Sequence, residues 1–444
     1  MTGKSKLKKI NRSLIIMKFD LPRGMRDIET DEFENINLIK NAFYESAKSF
    51  NFKIMEPSPL ELLSTLESKS GPGIINEIYS FIDKGNRKVA LRFDLTIGLT
   101  RFFVSRRDLK IPAKIASFGG VWRYDEPQSG RYRFFHQWDI EIYGPNSLES
   151  DIEIIEFTSV FLNKLGLKKI IIDINSRELI EEYIKNNLNI IEEETLFEIF
   201  RAIDKVPKKG KSGVMEEYKK KINNEILEKV MIFAEKKGSY EEINHFIEPL
   251  KLKSWESIKK VVQSLSNRKV NNIRINLGIV RGLDYYSGIV FEAIDVEHNF
   301  GSLVGGGRYN KLTETFGRKD MGATGAAGGI ERIILAMKKY DIIKEKNTED
   351  LTFIAYNSPE MVNMVEILAS ILRKKNKPVD YDLLGRSFSK QIIDAENKKA
   401  KNTIIFNSDE VKSEGYITLR DNTNKKEKKI NISKNFDEII NELN

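Results

Sequence analysis

The sequence contains no cysteine and only three histidines. Without thiols the chain has no disulfide framework, no cysteine nucleophile and no thiolate metal ligands, and three histidines argue against a histidine-rich zinc site. A chain without cysteine also favours a reduced, intracellular setting. These absences exclude a disulfide-stabilised secreted domain and argue against a zinc enzyme.

Long apolar runs are absent as well. The basic N-terminal residues are followed by an apolar patch at residues 14–17 that is too short for a signal-peptide core. No run approaches the roughly 18 to 20 apolar residues that a membrane-spanning helix needs. We therefore expect a soluble, cytoplasmic protein.

Length and charge set wider limits. With 444 residues, the chain has room for roughly two to four domains of ordinary size. Its 40% hydrophobic content argues against disorder throughout. The 73 Lys and Arg residues exceed the 65 Asp and Glu residues by 8, a mild positive charge that permits a polyanionic partner without identifying one.

Apolar spacing in the N-terminal part predicts a helix followed by strands. Apolar residues recur every three or four positions between residues 31 and 50, which indicates an amphipathic helix. Alternation over residues 88–96 predicts a strand with Arg92, Asp94 and Thr96 on its polar face. Between residues 118 and 144, two alternating segments flank a turn that contains proline and glycine. We therefore expect an antiparallel hairpin there.

The middle of the chain has a different pattern. Residues 175–267 lack clean alternation and carry helical apolar stripes, so we interpret them as a helical insertion. A lysine cluster within it is expected on a loop that contains proline and glycine, where a phosphate contact and a solvated loop are both open readings. The cluster consists of Lys205, Lys208, Lys209 and Lys211.

Strand patterns return after the insertion. We expect strands at residues 273–280 and 288–294, and two glycine-rich segments, 305–307 and 322–329, that each lead into a helix. These glycines are also compatible with simple loops.

The C-terminal part shows alternation and one helical stripe. Strands are expected near residues 351–355, 403–406 and 415–420, with a helix near 359–374, and together they predict a small α/β domain. The lysine-rich segment 425–429 is expected to be a solvated turn.

Polar side chains at a spacing of two suggest a functional sheet face. The chain has neither a G-x-x-x-x-G-K-[ST] loop nor a strand-linked G-x-G-x-x-G, so a nucleotide would have to be bound by side chains on a sheet. Arg123 and Asp125 share one face of the predicted hairpin, and so do Gln137, Asp139 and Glu141. On any one strand such residues are more often solvent-facing, but three such strands beside glycine-rich turns weaken that interpretation.

Six segments together resemble the histidyl-tRNA synthetases, a family of class II. The segments are Leu21-Pro-Arg-Gly-Met-Arg-Asp27, Leu91-Arg-Phe-Asp-Leu-Thr96, Trp122-Arg-Tyr-Asp-Glu-Pro-Gln-Ser-Gly-Arg-Tyr-Arg-Phe-Phe-His-Gln137, Val280-Arg-Gly-Leu-Asp-Tyr-Tyr286, Gly305-Gly-Gly-Arg-Tyr309 and Gly328-Gly-Ile-Glu-Arg332. The resemblance runs from about residue 19 to the C-terminus.

The resemblance implies an α+β fold with several parts. The catalytic domain would be a class II antiparallel sheet with flanking helices, interrupted by the helical insertion domain and followed by a C-terminal α/β anticodon-binding domain. We expect the following division: a disordered extension at 1–16, the catalytic domain at 17–173 and 271–343, the insertion at 174–270, and the anticodon-binding domain at 349–444.

The resemblance also implies a reaction. The carboxylate of histidine would attack the α-phosphorus of ATP, which requires positioning and charge neutralisation rather than a protein nucleophile. Arg281 and Arg123 would be catalytic, and Arg123, Asp125 and Arg332 would bind ATP together with Mg²⁺.

Histidine selection and tRNA contacts are carried over in the same way. The implied histidine-binding residues are Asp94, Thr96 and Gln137 near the α-amino group, Glu141, Tyr286 and Tyr309 near the imidazole, and Arg281 at the carboxylate. The hairpin loop would meet the tRNA acceptor end through Gln128, Arg131 and Arg133. Bacterial members often carry Glu at the positions of Asp94 and Asp125, and a basic residue at that of Glu126.

The expected partners are ATP, L-histidine, tRNA(His) and a second copy of the chain. The homodimer is implied by the resemblance of the helix from Asp31 and the segment around Pro57 to the family's interface motif. An alternative is a non-catalytic paralogue, the regulatory subunit of ATP phosphoribosyltransferase, which usually lacks the anticodon domain and parts of the site. A generic RNA-binding module is a third possibility, but it does not explain the polar sheet face.

Overall fold

The computed structural model describes residues 20–70, 72–126, 132–280, 286–298, 300–343, 351–432 and 436–443. The predicted N-terminal extension at 1–16 lies outside the described residues. The chain divides into two compact units, Met1–Ile343 and Lys344–Asn444.

The first unit mixes strands and helices. Its strands are β1 (Lys53–Ile54), β2 (Leu60–Leu62), β3 (Ser80–Ile82), β4 (Lys88–Leu91), β5 (Ala113–Trp122), β6 (Phe134–Gly144), β7 (Ile170–Ser176), β8 (Lys237–Gly238), β9 (Ile273–Asn276), β10 (Ile289–Asp295), β11 (Ser302–Arg308) and β12 (Gly322–Gly329). Its helices are α1 (Thr30–Ser49), α2 (Leu63–Ser70), α3 (Thr96–Ser105), α4 (Leu148–Lys164), α5 (Arg177–Glu182), α6 (Glu193–Tyr218), α7 (Asn224–Ala234), α8 (Tyr240–Ile247), α9 (Trp255–Asn267), α10 (Asn310–Thr315) and α11 (Ile330–Lys339). Short 3₁₀ turns lie at Pro72–Glu77 and Glu248–Leu250, and a π-helical turn lies at Tyr183–Asn187.

A large sheet organises this unit. Within the described residues it has nine strands in the order β1-β5-β6-β12-β11-β10-β7-β9-β8. The pairs β1–β5 and β7–β9 are parallel, and the other pairs are antiparallel. The predicted hairpin is confirmed, because β5 and β6 pair antiparallel from Ala113 opposite Tyr143 to Trp122 opposite Phe134. A smaller antiparallel sheet has the order β2-β4-β3 over the same described part of the chain.

One face of the large sheet packs against α1 and α4. Trp138 of β6 is fully buried, and its ring contacts Phe43 of α1 and Phe161 of α4 at centroid distances of 5.7 and 5.2 Å. Because strand side chains alternate, this places Trp138 on the helix side and its neighbours Gln137 and Asp139 on the other face. Helix α1 closely matches the amphipathic helix predicted from residues 31–50.

The glycine-rich segments are strands that each lead into a helix, as predicted, and the alternative of simple loops or turns there is wrong. Strands β11 and β12 lie side by side in the middle of the sheet, with Gly306 opposite Ala326. A Cβ at Gly306 would come 2.5 Å from the carbonyl oxygen of Gly325 and 2.6 Å from the ring of Phe291. Close packing within the sheet therefore requires glycine here. An interpretation of glycine only as a loop residue misses this role.

The predicted strand at 88–96 is wrong in its second half. Strand β4 ends at Leu91, and Thr96 is the first residue of α3. Arg92 is buried and donates from Nε to the carbonyl oxygen of Gly120 (2.8 Å) and from Nη2 to Glu56 (2.7 Å). Arg92 therefore ties this segment to the end of β5 and is not part of a polar sheet face.

The helical insertion appears as a run of helices from α5 to α9, with the short strand β8 between α7 and α8. The predicted lysine loop is wrong, because these lysines lie within α6, which bends at Gly210 where φ is 69° and ψ is 165°. Lys205 and Lys209 donate to Glu217, at 2.5 and 2.6 Å. These ion pairs join the two halves of the bent helix.

The second unit has its own sheet and core. Its strands are β13 (Thr352–Tyr356), β14 (Val379–Tyr381), β15 (Asn402–Phe406), β16 (Tyr416–Asp421) and β17 (Lys426–Asn431). Its helices are α12 (Val362–Lys374), preceded by a 3₁₀ turn at Pro359–Met361, α13 (Phe388–Asn397), α14 (Ser408–Glu414) and α15 (Asp437–Glu442). Strands β14, β13 and β15 pair in parallel, and β16 and β17 continue the sheet antiparallel.

Strand β17 replaces the solvated turn predicted at 425–429. Its first four residues are exposed, and Ile430 is buried in the core of the second unit. Exposed lysines on an edge strand discourage pairing with another chain. No helix in the described parts of the chain is long and apolar enough to cross a membrane.

Candidate active site

A pocket opens on the face of the large sheet opposite α1 and α4. It is lined by residues from β6, β11 and β12, from the start of α3 and α11, and from the segments that flank the hairpin loop. Nine of the residues predicted from the sequence line it: Asp94, Thr96, Arg123, Asp125, Gln137, Glu141, Tyr286, Tyr309 and Arg332. Arg281, Gln128 and Arg131 lie outside the described residues, so their predicted roles stay predictions.

Glu141 and Tyr309 form a buried part of the pocket. The Tyr309 hydroxyl donates a short hydrogen bond to Glu141 Oε2, and both side chains are buried. Gly325 lies opposite Glu141 on β12, and a Cβ there would overlap Glu141 Oε2. Tyr286 packs against Tyr309 with ring centroids 6.5 Å apart. The Glu141 carboxylate and the two phenols thus lie close together, and the lack of a side chain at Gly325 provides the space for the carboxylate.

The Tyr309 hydroxyl keeps its proton at neutral pH. Burial raises the pKa of Tyr309 well above its ordinary value, and the nearby charge of Glu141 acts in the same direction. The hydroxyl therefore remains a hydrogen-bond donor at neutral pH. Glu141 accepts from it, and an ionised carboxylate can accept more than one hydrogen bond.

A second polar group surrounds the start of α3. The Asp94 carboxylate accepts a hydrogen bond from the backbone N–H of Ile97 (3.2 Å), and the Thr96 hydroxyl donates to Asp139 Oδ2 (2.9 Å). Gln137 lies on β6 beside them and is buried. Asp139 is fully buried behind Thr96 and does not line the pocket. Sequence reasoning placed Asp139 on this face at the correct spacing but gave it no role.

Two arginines bring positive charge to the same pocket. Arg123 donates from Nε to the carbonyl oxygen of Phe93 (2.9 Å), and its guanidinium lies 5.1 Å from the centre of the Phe135 ring. Arg332, in the first turn of α11, donates from Nη1 to the carbonyl oxygen of Ser302 (2.9 Å). Backbone carbonyls thus orient both side chains at the pocket wall.

Glu331 is a pocket residue that sequence reasoning did not assign. Its carboxylate accepts from the backbone N–H of His136 at 2.9 and 3.1 Å, and from the His136 ring nitrogen at 3.3 Å if that nitrogen carries the proton. This contact joins the first turn of α11 to β6, next to Gln137. Glu331 directly precedes Arg332 in one of the family segments, so the sequence did point to this position. Its partner His136 is 195 positions away, and no local pattern connects the two residues.

A buried ion pair anchors the end of β11, and sequence reasoning missed it. Arg308 donates from Nε to Asp151 Oδ2 (3.0 Å) and from Nη2 to the carbonyl oxygen of Ser147 (2.6 Å). Burial raises the pKa of Asp151 to about 6, although Arg308 opposes this shift. Since Tyr309 follows Arg308 directly, the pair fixes the backbone from which Tyr309 enters the pocket.

The residues beside the hairpin loop are largely engaged with one another. Arg133 is buried, donates to the carbonyl oxygens of Arg23 (3.0 Å) and Asp125 (3.2 Å), and stacks on Tyr124. Glu126 pairs with Arg23 at 3.2 Å, and both side chains are exposed. The predicted contact between Arg133 and tRNA stays a prediction; its guanidinium supports the backbone at Asp125, just before the loop, and at Arg23.

One cavity therefore combines two kinds of recognition. Carboxylates, hydroxyls and an amide suit a ligand rich in N–H donors, whereas arginines suit phosphate or carboxylate oxygens. An antiparallel sheet that holds such a pocket, without a glycine-rich phosphate loop, is the arrangement of a class II aminoacyl-tRNA synthetase.

Comparison with known proteins narrows this class. The family model "Histidyl-tRNA synthetase" matches residues 24–333, and the model "Anticodon binding domain" matches residues 350–442. The histidine–tRNA ligase of Thermococcus kodakarensis is 31% identical over 437 residues, which cover 96% of this chain and 99% of the relative. The chain belongs to the histidyl-tRNA synthetase family.

Solved structures agree on the fold. The histidyl-tRNA synthetase of a Nostoc species has a TM-score of 0.79 at 23% identity, covering 96% of this chain and 99% of that one. A Bacillus halodurans protein described as an ATP phosphoribosyltransferase regulatory subunit/histidyl-tRNA synthetase has a TM-score of 0.73 at 20% identity, covering 88% of this chain and 99% of that one. At these identities the likeness concerns the fold alone.

Proposed function

We propose that this chain is a histidine–tRNA ligase, which activates histidine with ATP and then transfers it to the 3′ end of tRNA(His). The observation that carries the proposal is the single pocket in which Glu141 and Tyr309 lie with Arg123 and Arg332. An amino acid with a ring N–H and a nucleoside triphosphate would both find partners there.

Activation joins the two substrates in one displacement. An oxygen of the histidine carboxylate attacks the α-phosphorus of ATP, the bond from that phosphorus to pyrophosphate breaks, and histidyl-adenylate and pyrophosphate result. In the second step the terminal hydroxyl of tRNA attacks the carbonyl carbon, and AMP leaves. Neither step requires a protein nucleophile, so the protein contributes mainly by positioning and charge stabilisation.

The arginines are assigned to the phosphate side. Arg123 holds the α-phosphate and Arg332 lies against ATP, with Asp125 close by in the pocket wall. A planar guanidinium can contact two phosphate oxygens at once, which the ammonium of lysine cannot do. Arg281, whose placement is not described, would bridge the histidine carboxylate and the α-phosphate.

The acidic and phenolic groups are assigned to histidine. Glu141, Tyr286 and Tyr309 surround the imidazole, and the α-amino group meets a second set made of Asp94, Thr96 and Gln137. Buried groups that the wrong amino acid leaves unpaired can reject it by roughly 10⁴-fold. Selection in this pocket therefore suffices without a separate editing site.

Mg²⁺ fits the pocket as a partner of ATP. No cluster of three or more His, Cys, Asp or Glu side chains that could hold a metal occurs in the described residues. Mg²⁺ commonly uses one or two carboxylates and takes its other ligands from phosphates and water, and Asp125 is a pocket carboxylate that could serve in this way. When bound, Mg²⁺ would neutralise charge on the departing pyrophosphate.

For the tRNA we propose two regions of contact. The hairpin loop with Gln128 and Arg131, supported by Arg133, would meet the acceptor end. The second unit would bind the anticodon through unstacked bases, and its match to an anticodon-binding family model supports this assignment. The reaction is proposed to take place in the cytoplasm.

We also propose that the enzyme is a homodimer. Large apolar side chains are exposed on α1 and on the small sheet, namely Phe33 (56%), Leu38 (51%), Leu62 (50%), Phe81 (49%) and Ile82 (62%). A second copy would cover them. Sedimentation of the wild type and of the variant Leu62→Glu/Ile82→Glu tests this. We expect the wild type to sediment as a dimer and the variant as a monomer. A wild type that sediments as a monomer, like the variant, would contradict the proposal.

The activity is tested by ATP–pyrophosphate exchange with each proteinogenic amino acid in turn. We expect exchange with histidine alone, and we expect Arg123→Lys to reduce kcat/KM although it keeps the charge. Arg87→Lys is a matched control, because Arg87 is exposed and its main partner is the nearby Asp83. A folded preparation that exchanges with no amino acid would instead support the regulatory-subunit alternative.

A further inference from the structure

Asp139 is a buried carboxylate of the large sheet to which the proposed function gives no role. It lies on β6 between Gln137 and Glu141 at a spacing of two, so the three side chains share one face of the sheet. Gln137 and Glu141 line the pocket, whereas Asp139 is fully buried and does not line it. Burying a carboxylate is costly unless it is hydrogen-bonded, so its partner is informative.

A hydrogen-bond partner of Asp139 is a pocket residue. Thr96, the first residue of α3, donates from Oγ1 to Asp139 Oδ2 at 2.9 Å. Thr96 itself lines the pocket. The Thr96 side chain therefore connects the buried carboxylate with the space in which a ligand binds.

This hydrogen bond determines what the Thr96 hydroxyl can offer to a ligand. A threonine hydroxyl has one proton to donate and two lone pairs that can accept. Because an ionised carboxylate only accepts, the proton is used in the contact with Asp139, and toward a ligand the hydroxyl can act only as an acceptor. An ammonium group has three donors and no acceptor, so it matches a hydroxyl in this orientation.

The charge of the carboxylate acts in the same direction. Hydrogen bonds that have an ionised partner are stronger than neutral ones, and hydrogen bonds that point the same way polarise one another. An ammonium group that donates to Thr96, and Thr96 that donates to Asp139, form such a series with an ionised group at each end. The buried site increases the effect, because charges there are screened less than in water.

We propose that Asp139 is a positioning residue that keeps the Thr96 hydroxyl oriented as an acceptor for the α-ammonium group of the bound amino acid. Asp139 then contributes to the selection of an α-amino acid without touching it. This inference rests on the proposed function, which assigns Thr96 to the α-amino group of histidine.

The variant Asp139→Asn tests the role of the carboxylate. It keeps the shape of the side chain, but it removes the charge, and an amide nitrogen facing Thr96 would donate to the hydroxyl and use one of its lone pairs. Asp139→Ser is a second variant with the same expectation, in case the first does not fold. Asp173→Asn is a matched control, because Asp173 is a buried carboxylate of β7 in the same sheet that pairs with Arg274 at 2.7 and 2.9 Å and does not line the pocket.

The measurements are histidine-dependent ATP–pyrophosphate exchange and its inhibition by two histidine analogues. Weakening one buried hydrogen bond should raise KM for histidine about fivefold in Asp139→Asn, with KM for ATP unchanged. Histidinol keeps the α-amino group and lacks the carboxylate, so its inhibition constant should rise by the same factor. 3-(4-Imidazolyl)propionate lacks the α-amino group, so its inhibition constant should stay the same. Asp173→Asn should behave as wild type in all these measurements.

The variant Thr96→Val tests whether Asp139 acts through the hydroxyl. Valine has nearly the volume of threonine but neither donates nor accepts a hydrogen bond. If the hydroxyl transmits the effect, Asp139→Asn should cause no further increase of KM for histidine when Thr96→Val is already present. A direct effect of the Asp139 charge on the ammonium group would instead be equally large with and without the hydroxyl.

Three results would overturn the inference. They are an unchanged KM for histidine in a folded Asp139 variant, an equal loss of affinity for histidinol and imidazolylpropionate, and an effect of Asp139→Asn that Thr96→Val does not reduce. Absence of exchange in the wild-type protein is a different outcome, since it would remove the proposed function itself.

Discussion

At the scale of single residues, the absence of a side chain at position 325 makes room for a binding group. Gly325 lies opposite Glu141 in the pairing of β12 with β6, and a Cβ there would overlap the carboxylate and approach the carbonyl oxygen of Ile140 to 2.6 Å. The carboxylate can lie across its neighbouring strand only because that strand carries no side chain at this point. Glycine here serves close approach rather than a turn.

We predict that Gly325→Ala displaces Glu141 and raises KM for histidine. Displacing a buried polar group from its partners costs about 1 to 3 kcal/mol, so the increase should be roughly fivefold to 150-fold. Gly213→Ala in α6 is the control, because the nearest atom to its added Cβ is Lys209 Cβ at 3.3 Å and α6 does not contribute to the pocket. Equal kinetics for the two variants would contradict the prediction.

Asp151 gives a second prediction at this scale, on pH. Its folded-state pKa is raised to about 6 from 3.8 by burial, so the native state binds this proton more tightly than the unfolded state. The resulting stabilisation is complete below the unfolded pKa and is lost as the pH rises through about 6. When the pH is lowered from 7 to 5, the free energy of unfolding of the wild type should rise by about 1 kcal/mol relative to that of Asp151→Asn.

The measurement is urea unfolding of both proteins at the two pH values. Asp151→Asn also leaves Arg308 without its charge partner, so it should be the less stable protein throughout. The prediction concerns only how the difference in unfolding free energy between the two proteins changes with pH. Parallel pH profiles for wild type and variant would show that Asp151 does not titrate in this range.

At the scale of elements, α11 and β6 meet through one carboxylate. Glu331 in the first turn of α11 accepts the backbone N–H of His136, and Arg332 follows it in the same turn. Gln137 follows His136 on the strand. The contact therefore couples the position of Arg332, the proposed ATP-binding arginine, to the strand that carries the proposed histidine-binding groups.

We predict that Glu331→Gln raises KM for ATP by roughly fivefold to thirtyfold, because a hydrogen bond to a charged group is worth about 1.5 to 3 kcal/mol and the amide replaces it only in part. KM for histidine should change less. Glu297→Gln is the control, since Glu297 pairs with Lys169 at 2.9 Å on the exposed surface. Unchanged ATP kinetics in Glu331→Gln would show that α11 is positioned by packing alone.

At the scale of the whole molecule, the chain consists of two units with separate cores. The pocket belongs to Met1–Ile343, whereas Lys344–Asn444 has its own core around Ile354, Leu368 and Phe406. The two family models match segments that lie on either side of the same division. Activation of the amino acid and reading of the anticodon are thus assigned to different units.

We predict that a chain ending at Ile343 keeps histidine-dependent exchange within a factor of about three, because the described residues that line the pocket and form the main core belong to this unit. Charging of tRNA(His) should fall by at least about tenfold, since the anticodon contacts are lost. Aminoacylation and exchange are measured side by side on the truncated and full chains. Full charging activity in the truncated chain would contradict the assignment of the anticodon to the second unit.

Much of the fold and the site followed from local patterns. Apolar spacing located α1, and alternation predicted the β5–β6 hairpin. Nine predicted residues line one pocket, and all of them except Glu141 lie in the family segments given above. Their individual roles stay predictions. Alternation misled at residues 92–96, where α3 begins, because a short polar and apolar alternation is also compatible with a turn into a helix.

The sequence alone determined the family, the types of the main elements and the chemical groups available, because these depend on neighbouring residues and on short motifs. Tertiary structure decided what those groups do. The pairs Asp151–Arg308 and His136–Glu331 join residues 157 and 195 positions apart, and the clash that excludes a Cβ at Gly325 depends on the register of β6 against β12. Strand order and register arise from the packing of the whole sheet, so no local pattern contains them.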